Sequence, residues 1–307
     1  MQGLVLKSTG SWYDVKLNNG QRVSARIRGK FRLDGLKVTN PVAAGDIVEV
    51  EESKDQTFVI HEIHPRKNYI IRRSVNLSKQ YHILAANVDQ AILLVSATHP
   101  KTYSEFIDRF LVTATAYHIP AVLVFNKIDL YGAEELEQLK QWEEIYVAAG
   151  YDCRRASAKS GLGVGEIKEL LKGKISMLSG HSGVGKSTLI NSVDSNLNLK
   201  TALISDMHEQ GKHTTTFAEM HELAFGGYVI DTPGIKGLGL ADMKKTELCK
   251  YFPELMRFAS QCKFHNCVHI NEPGCAVKQA VAKGEIRQER YDSYLNMYNE
   301  DEEEQYR

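Results

Sequence analysis

The order of a few short segments constrains the fold of this 307-residue chain more than any other feature. Gly180-His-Ser-Gly-Val-Gly-Lys186-Ser187 lies past the midpoint, and both Asn126-Lys127-Ile128-Asp129 and Ser157-Ala158-Lys159 come before that segment. Thr214, Thr215 and Thr216 follow, and then Asp231-Thr-Pro-Gly234. In an α/β nucleotide-binding domain of ordinary order, the glycine-rich loop opens the domain and the Asn-Lys-x-Asp and Ser-Ala-Lys segments close it. Here the closing segments stand first. That order implies a circular permutation, in which the usual last helix is fused to the usual first strand.

The length suits two or three domains, of which a nucleotide-binding core would use roughly 150 to 180 residues. The start, MQGLVLKSTG, lacks the charged-then-apolar pattern of a leader, and no apolar run approaches the ~18 residues of a membrane span. A cytoplasmic protein with no membrane segment is expected, so the five cysteines do not read as a disulfide framework. Nothing signals oligomerisation, and a monomer is expected. A formal net charge of zero hides an asymmetry: residues 1–80 carry 14 Lys and Arg against 8 Asp and Glu, and the tail Glu300-Asp-Glu-Glu-Glu304 is acidic. The basic front suits a polyanion such as RNA, although a solvated basic face would look the same.

Residues 1–65 read as five short strands, with a tight turn at Asn18-Asn19-Gly20. Val23, Ala25 and Ile27 alternate with Ser24, Arg26 and Arg28, so one face is buried and the other basic. Five strands in this length predict a small closed barrel, the OB-fold or an SH3-like alternative. A polar connector with Arg66, Lys67, Arg72 and Arg73 follows. From Val88 the texture alternates between strand and helix, and a permuted nucleotide-binding domain is expected over 66–238. Apolar strands QAILLVSAT, AVLVF and KISMLSG alternate with helices over Tyr103–Tyr117, Glu134–Ala149 and Glu166–Leu171, the last running straight into KISMLSG. Residues 239–307 read as a helical domain around a Cys/His loop, with helices from about Leu240 to Ser260 and from Val277 to about Tyr298.

GHSGVGKS fits the phosphate loop at all eight positions. Its glycines let backbone N–H groups turn inward around phosphates. Gly180, Ser182, Gly183, Val184 and Gly185 are expected to line the nucleotide, with Thr188 just beyond. Lys186 is expected to reach the β/γ oxygens, and Ser187 to hold Mg²⁺. Asp129 can accept from guanine N1–H and the 2-amino group, donors that adenine lacks, so the nucleotide is read as GTP or GDP. Asn126 and Lys127 would brace the loops, and Ser157, Ala158 and Lys159 would bring a backbone N–H to guanine O6. Asp231 would act on Mg²⁺ through water, and the Gly234 N–H would sense the γ-phosphate. One of Thr214 to Thr216 would complete the Mg²⁺ shell; Thr215 is favoured, though the sequence does not separate the three. Ile235 stands where many GTPases carry a water-orienting Gln, and an aliphatic side chain cannot do that work. His213, directly before the threonines, is the candidate to position the water. The expected catalytic set is therefore His213, Lys186 and Thr215.

Cys262-x₄-Cys267-x-His269-x₅-Cys275 puts three thiols and an imidazole within 14 residues, the donor set of a closed tetrahedral zinc site. One structural Zn²⁺ is expected there, with His265 a competing ligand. Cys153 and Cys249 read as buried thiols.

The barrel, the permuted domain and the Cys₃His element, with NKID, SAK, GHSGVGKS, GKHTTT and DTPG, resemble the bacterial RsgA or YjeQ family along essentially the whole chain. That resemblance implies an OB-fold, a permuted GTPase core and a zinc-binding helical domain. It implies a GTPase acting late in assembly of the small ribosomal subunit, stimulated by the subunit and in contact with its ribosomal RNA. It also supports the aliphatic Ile235 and a role for His213 in hydrolysis. Gly183, in place of the Asn of potassium-activated relatives, implies no strict potassium requirement. The competing reading is a GTP-dependent RNA-binding switch whose hydrolysis is incidental.

Overall fold

The computed structural model describes residues 1–27, 40–53, 55, 57–73, 81–197, 218–231 and 244–300; for Arg72, Arg73, Tyr81 and Asp231 it describes the backbone alone. Two compact units emerge. One comprises Met1–Ala91, Gly165–Ser179 and Lys186–Gly237; the other comprises Ile92–Val164, Gly180–Gly185 and Leu238–Arg307.

In the first unit, β1 (Gln2–Ser8), β2 (Tyr13–Leu17), β3 (Arg22–Ile27), β4 (Ile47–Glu52) and β5 (Phe58–Ile63) form a closed barrel. Neighbours run β1-β2-β3-β5-β4, and β4 returns to β1 with Leu4 opposite Ile47. β3 and β5 are parallel while the other barrel pairs are antiparallel. That order is the OB-type solution, and it decides between the two barrels the strand count allowed. Val5, Val15, Ala25, Val48, Val50 and Ile60 fill the interior at the alternate positions that period-2 patterning requires. The turn between β2 and β3 is where expected, with Gly20 at φ 88°.

The connector holds more structure than its polarity suggests. β6 (Tyr69–Arg73) and β7 (Tyr81–Ala86) pair antiparallel, and Ile70, Ile83 and Ala85 are buried. Arg66 is no part of a solvated basic face. Its Nε and Nη2 each donate to Asp46 at 2.6 Å, and Nη2 also donates to Pro41 O at 2.6 Å. The two side chains are 7% and 0% exposed. Burial still holds the Asp46 carboxyl above the usual range, although Arg66 pulls the other way.

The same unit continues through α3 (Val164–Leu171, from Gly165), β11 (Ile175–Ser179), α4 (Lys186–Val193), β12 (Glu219–Glu222) and β13 (Tyr228–Asp231). β11 and β13 are parallel, with Met177 opposite Ile230, and β12 runs antiparallel to β13. β12 also meets the barrel, where Lys7 pairs with Glu219 in the backbone and as an ion pair at 2.7 Å. Lys16 and Arg22 both bond Glu222. Only three residues separate α3 from β11, as a permutation requires.

In the second unit, β8 (Gln90–Val95, from Ile92) is apolar and buried throughout. β9 (Ala121–Phe125) and β10 (Asp152–Arg155) are parallel, with Leu123 opposite Cys153. α1 (Ser104–Ala116) and α2 (Ala133–Ala149) match the periodicities that predict them. Residues 244–300 form a seven-residue 3₁₀ stretch (Lys245–Tyr251), α5 (Pro253–Ala259), α6 (Ala276–Ala282) and α7 (Gln288–Asn299) around Phe252, Leu255, Val277 and Tyr294. The single helix expected from Val277 to Tyr298 is therefore two. Gly284 at φ 74° takes the left-handed turn that ends α6, a conformation glycine adopts without a Cβ clash. Among the described residues, no helix is long and apolar enough to cross a membrane.

The buried Arg66–Asp46 pair yields the first test. Asp46→Ala leaves a guanidinium buried without its partner and should destabilise the protein by about 3–5 kcal/mol. Urea unfolding followed by circular dichroism measures this, and a midpoint equal to wild type would contradict it.

Candidate nucleotide and metal sites

In the second unit, β9 ends at Phe125 and delivers Asn126 to the phosphate loop. Asn126 N–H donates to Val95 O at 2.8 Å, tying the turn to the neighbouring strand. Its side-chain Nδ2, in a residue 1% exposed, donates to Val184 O at 2.9 Å. Lys127, in the left-handed conformation at φ 63°, donates Nζ to Gly183 O and to His99 O, both at 2.6 Å. Gly180, Gly183 and Gly185 all have positive φ. A Cβ on Gly185 would stand 2.5 Å from Asn126 Nδ2, so glycine there is a condition of the contact.

Asp129 sits in a 3₁₀ turn, Ile128–Leu130, where Ser157 Oγ donates to its Oδ1 at 2.5 Å. Ser157 is fully buried and its N–H is committed to Leu162 O at 2.9 Å. Ala158 and Lys159 follow it in the turn and are half-buried and exposed. The segments Asn126–Asp129 and Ser157–Lys159 and the loop Gly180–Gly185 are thus brought together in one unit. Ser182 and Gly183 lie exposed on that loop, and Val184 is fully buried.

The first unit carries the rest. Lys186 opens α4, Ser187 is buried at 5% exposure, and Thr188 is exposed. Asp231 closes β13 in register with Leu178, two residues before the loop begins. His213, Thr214, Thr215, Thr216, Gly234 and Ile235 lie outside the described residues.

The Cys/His loop gathers Cys262, Cys267, His269 and Cys275 with all ligand atoms within 4.8 Å of one another. His269 Nδ1 lies 3.5 Å from Cys262 Sγ and 3.4 Å from Cys275 Sγ, and those two sulfurs are 3.9 Å apart. A tetrahedron with Zn–S near 2.3 Å and Zn–N near 2.0–2.1 Å requires about 3.5 Å between sulfur and nitrogen and about 3.8 Å between sulfurs. The donor set fits zinc in identity and spacing. His265 is exposed and stands outside the group. Burial lowers the His269 pKa, favouring the neutral imidazole that ligates metals. Burial pushes Cys153 and Cys249 up to about 12, which makes them inert thiols.

Several supporting residues carry no motif and escape sequence reasoning. Glu272 accepts N–H bonds from Val268, Ile270 and Asn271 at 2.8, 3.0 and 3.1 Å. Burial is the largest single influence and pushes its carboxyl up, but the backbone N–H bonds together outweigh it and hold the group below the usual range. Tyr291 and Tyr294 donate to the carbonyls of His269 and Val268, each at 2.7 Å. Tyr131 OH donates to Asn126 O and accepts from Ala97 N–H, both at 2.9 Å. The tyrosines at 291 and 294 were legible only as members of a helix.

An OB-type barrel, a phosphate loop fed by a strand that follows the guanine-reading segments, and a Cys₃His group together define a circularly permuted GTPase with an accessory domain at each end. Comparison with known proteins agrees. The family profile described as RsgA GTPase matches residues 63–241, and that of the RsgA N-terminal domain matches residues 2–60. The chain belongs to the RsgA GTPase family and is a GTP hydrolase. The small ribosomal subunit biogenesis GTPase RsgA of Flavobacterium johnsoniae is 55% identical, over 99% of this chain and 94% of that protein. The RsgA 2 protein of Bacteroides thetaiotaomicron, with the same description, is 53% identical over 100% and 99%. Among solved structures, YjeQ from Thermotoga maritima superposes with a TM-score of 0.80 at 39% identity, covering 97% of this chain and 96% of that one. YloQ, described as a circularly permuted GTPase, gives 0.75 at 29% identity over 97% and 93%.

The Tyr131 bridge supplies the second test. Tyr131→Phe removes one donor and one acceptor behind Asn126, and a hydrogen bond is worth about 1 kcal/mol net. Guanine-nucleotide affinity should fall roughly 2- to 10-fold. Titration with a fluorescent GDP analogue measures it; an unchanged Kd would show that Asn126 holds its place without Tyr131.

Proposed function

We propose that this chain hydrolyses GTP in the maturation of the small ribosomal subunit, that the subunit stimulates turnover, and that nucleotide state controls binding and release. The observation that carries the reading is Asp129, fixed by Ser157 next to a loop that Asn126 and Lys127 brace from behind. The description of the relatives as small ribosomal subunit biogenesis GTPases supplies the partner.

Asp129 reads guanine N1–H and the 2-amino group. Ser157 has committed its N–H, so Ala158, with Lys159 beside it, meets O6. Backbone N–H groups of Gly180, Ser182, Gly183, Val184 and Gly185 surround the phosphates, with Thr188 at the loop's end, and Lys186 neutralises the β/γ oxygens. Ser187 and Thr215, with Thr214 adjacent, would hold Mg²⁺, which supplies charge neutralisation at the phosphates; Asp231 would act on it through water. Gly234 senses the γ-phosphate, and His213 orients the attacking water in place of the residue that Ile235 cannot be. Cys262, Cys267, His269 and Cys275 hold one structural zinc, since four protein ligands leave no open position for chemistry. The parts act as an OB-type RNA-binding domain over 1–65, a permuted GTPase domain over 66–238 and a zinc domain over 239–307. The protein works as a cytoplasmic monomer in contact with ribosomal RNA.

Two measurements test this reading. Steady-state GTP hydrolysis should be slow alone, rise many-fold with small subunits and stay low with large subunits, with Lys186→Ala as the blank. Turnover indifferent to small subunits would instead favour a GTP-dependent RNA-binding switch, the reading to which Ile235 lends support. Separately, elemental analysis of purified protein should return one zinc per chain. Cys267→Ser should lower both zinc content and melting temperature, and full stability without zinc would remove the metal from the account.

A further inference from the structure

One aromatic contact of the phosphate loop is made by a residue that belongs to no motif. His181, the second residue of GHSGVGKS, stacks on Phe106 of α1, with ring centroids 4.1 Å apart and planes inclined by 27°. Stacking at this separation fixes the plane of the imidazole, and with it the backbone that turns from Gly180 into the loop.

Phe106 stands on an immobilised helix. Asp108 lies two residues on, about 200° round α1, and so faces the opposite side. There it pairs with Arg290 of α7, whose Nε also donates to Glu254 of α5 at 2.6 Å. Arg290 is 1% exposed, and its guanidinium lies 4.8 Å from the Phe252 ring centroid. One helical turn after Asp108, Val112 is fully buried in the core formed by Leu248, Phe252 and Tyr294. Helix α1 therefore has one side anchored in the C-terminal helices and presents a ring to the phosphate loop from the other.

We infer that Phe106 is a positioning residue of the phosphate loop, holding His181 by ring stacking from a helix that the Arg290 cluster keeps in place. Such a residue touches no phosphate. It pre-sets the loop, so it acts on GDP and GTP alike and leaves the chemical step to other groups. The inference rests on the reading of Gly180–Ser187 as the phosphate site.

The experiment is a double-mutant cycle read by nucleotide titration on the full-length protein, with Phe106→Leu, His181→Ala and the pair, and with Phe106→Tyr as the conservative variant. An aromatic pair of ordinary strength corresponds to about a two- to tenfold change in Kd. Phe106→Leu should weaken GDP and GTP binding by that factor with kcat little changed. Phe106→Tyr should bind as wild type, and the double variant should bind no worse than His181→Ala alone. If Phe106→Leu binds like wild type, or if the two single effects multiply in the double variant, the inference is overturned. A general loss of folding would lower the melting temperature and affect Phe106→Leu in both the wild-type and His181→Ala backgrounds, which the cycle reports as independence. If the wild-type protein bound no guanine nucleotide, it is the proposed function that would fail, and the two failures are thereby told apart.

Discussion

A buried amide organises the candidate nucleotide site. Asn126 donates its side-chain N–H to Val184 O while its own backbone N–H is held by Val95 O. The turn that should read the base and the loop that should hold the phosphates are thereby locked to one strand end. Both bonds are shielded from water, where an unmade partner would cost far more than the bond contributes. Val184, fully buried, and Gly185, with no room for a Cβ, follow from that one contact. So does the position of Lys127, whose ammonium closes over the same loop at Gly183 O. The contact depends on space and not on chain order, and for that reason the segments can be permuted without loss of the site.

The C-terminal module solves a different problem with buried charge. Asp108, Glu254 and Arg290 share an interior with Tyr146, which is fully buried, and Tyr151, which is half-buried; loss of solvent raises both phenols, Tyr151 to about 12. Desolvation opposes the guanidinium, yet the two carboxylates outweigh it and keep its pKa above the ordinary value. Such a cluster contributes less to stability than well-packed apolar side chains of the same volume would. It does impose geometry, because a guanidinium fork accepts two carboxylates in few arrangements. The Cys₃His group has the same character: Glu272, Tyr291 and Tyr294 satisfy the backbone of a loop too short to form a core.

These groups also mark where the sequence stopped being legible. β8 could be read because six consecutive residues are buried on both faces, and the barrel because its alternation is clean. The phosphate loop and the cysteine ligands could be read because their chemistry fixes residue types at short spacings. The β6–β7 hairpin was hidden by the arginines at 72 and 73, which mask two buried isoleucines at 70 and 83. The break between α6 and α7 rests on Gly284, one residue in a stretch of otherwise helical spacing. Tyr131, Phe106 and Arg290 act through partners 5, 75 and 182 residues away in sequence, and no local pattern announces such partners.

The permutation itself poses a physical question, because fusing a last helix to a first strand creates a junction that the ordinary order never has. Here the junction runs from Leu171 to Ile175, and two adjacent residues, one just before β8 and one opening it, hold it. Asp89 N–H donates to Ile175 O at 2.8 Å, and Ile175 N–H donates back to the Asp89 carboxylate at 2.7 Å. Gln90, 3% exposed, donates to Leu170 O and Ser176 Oγ at 2.8 and 2.9 Å and accepts from Lys174 Nζ at 3.1 Å. The side chains thus give the half-buried backbone groups on either side of the join their hydrogen-bond partners. Gly227 completes the closure: a Cβ there would stand 2.6 Å from Leu171 O, so the hairpin that carries β13 can approach the junction only as glycine. A permuted domain keeps its core because the core is indifferent to chain order. Only the join itself asks for further contacts, and in this protein Asp89, Gln90 and Gly227 supply them.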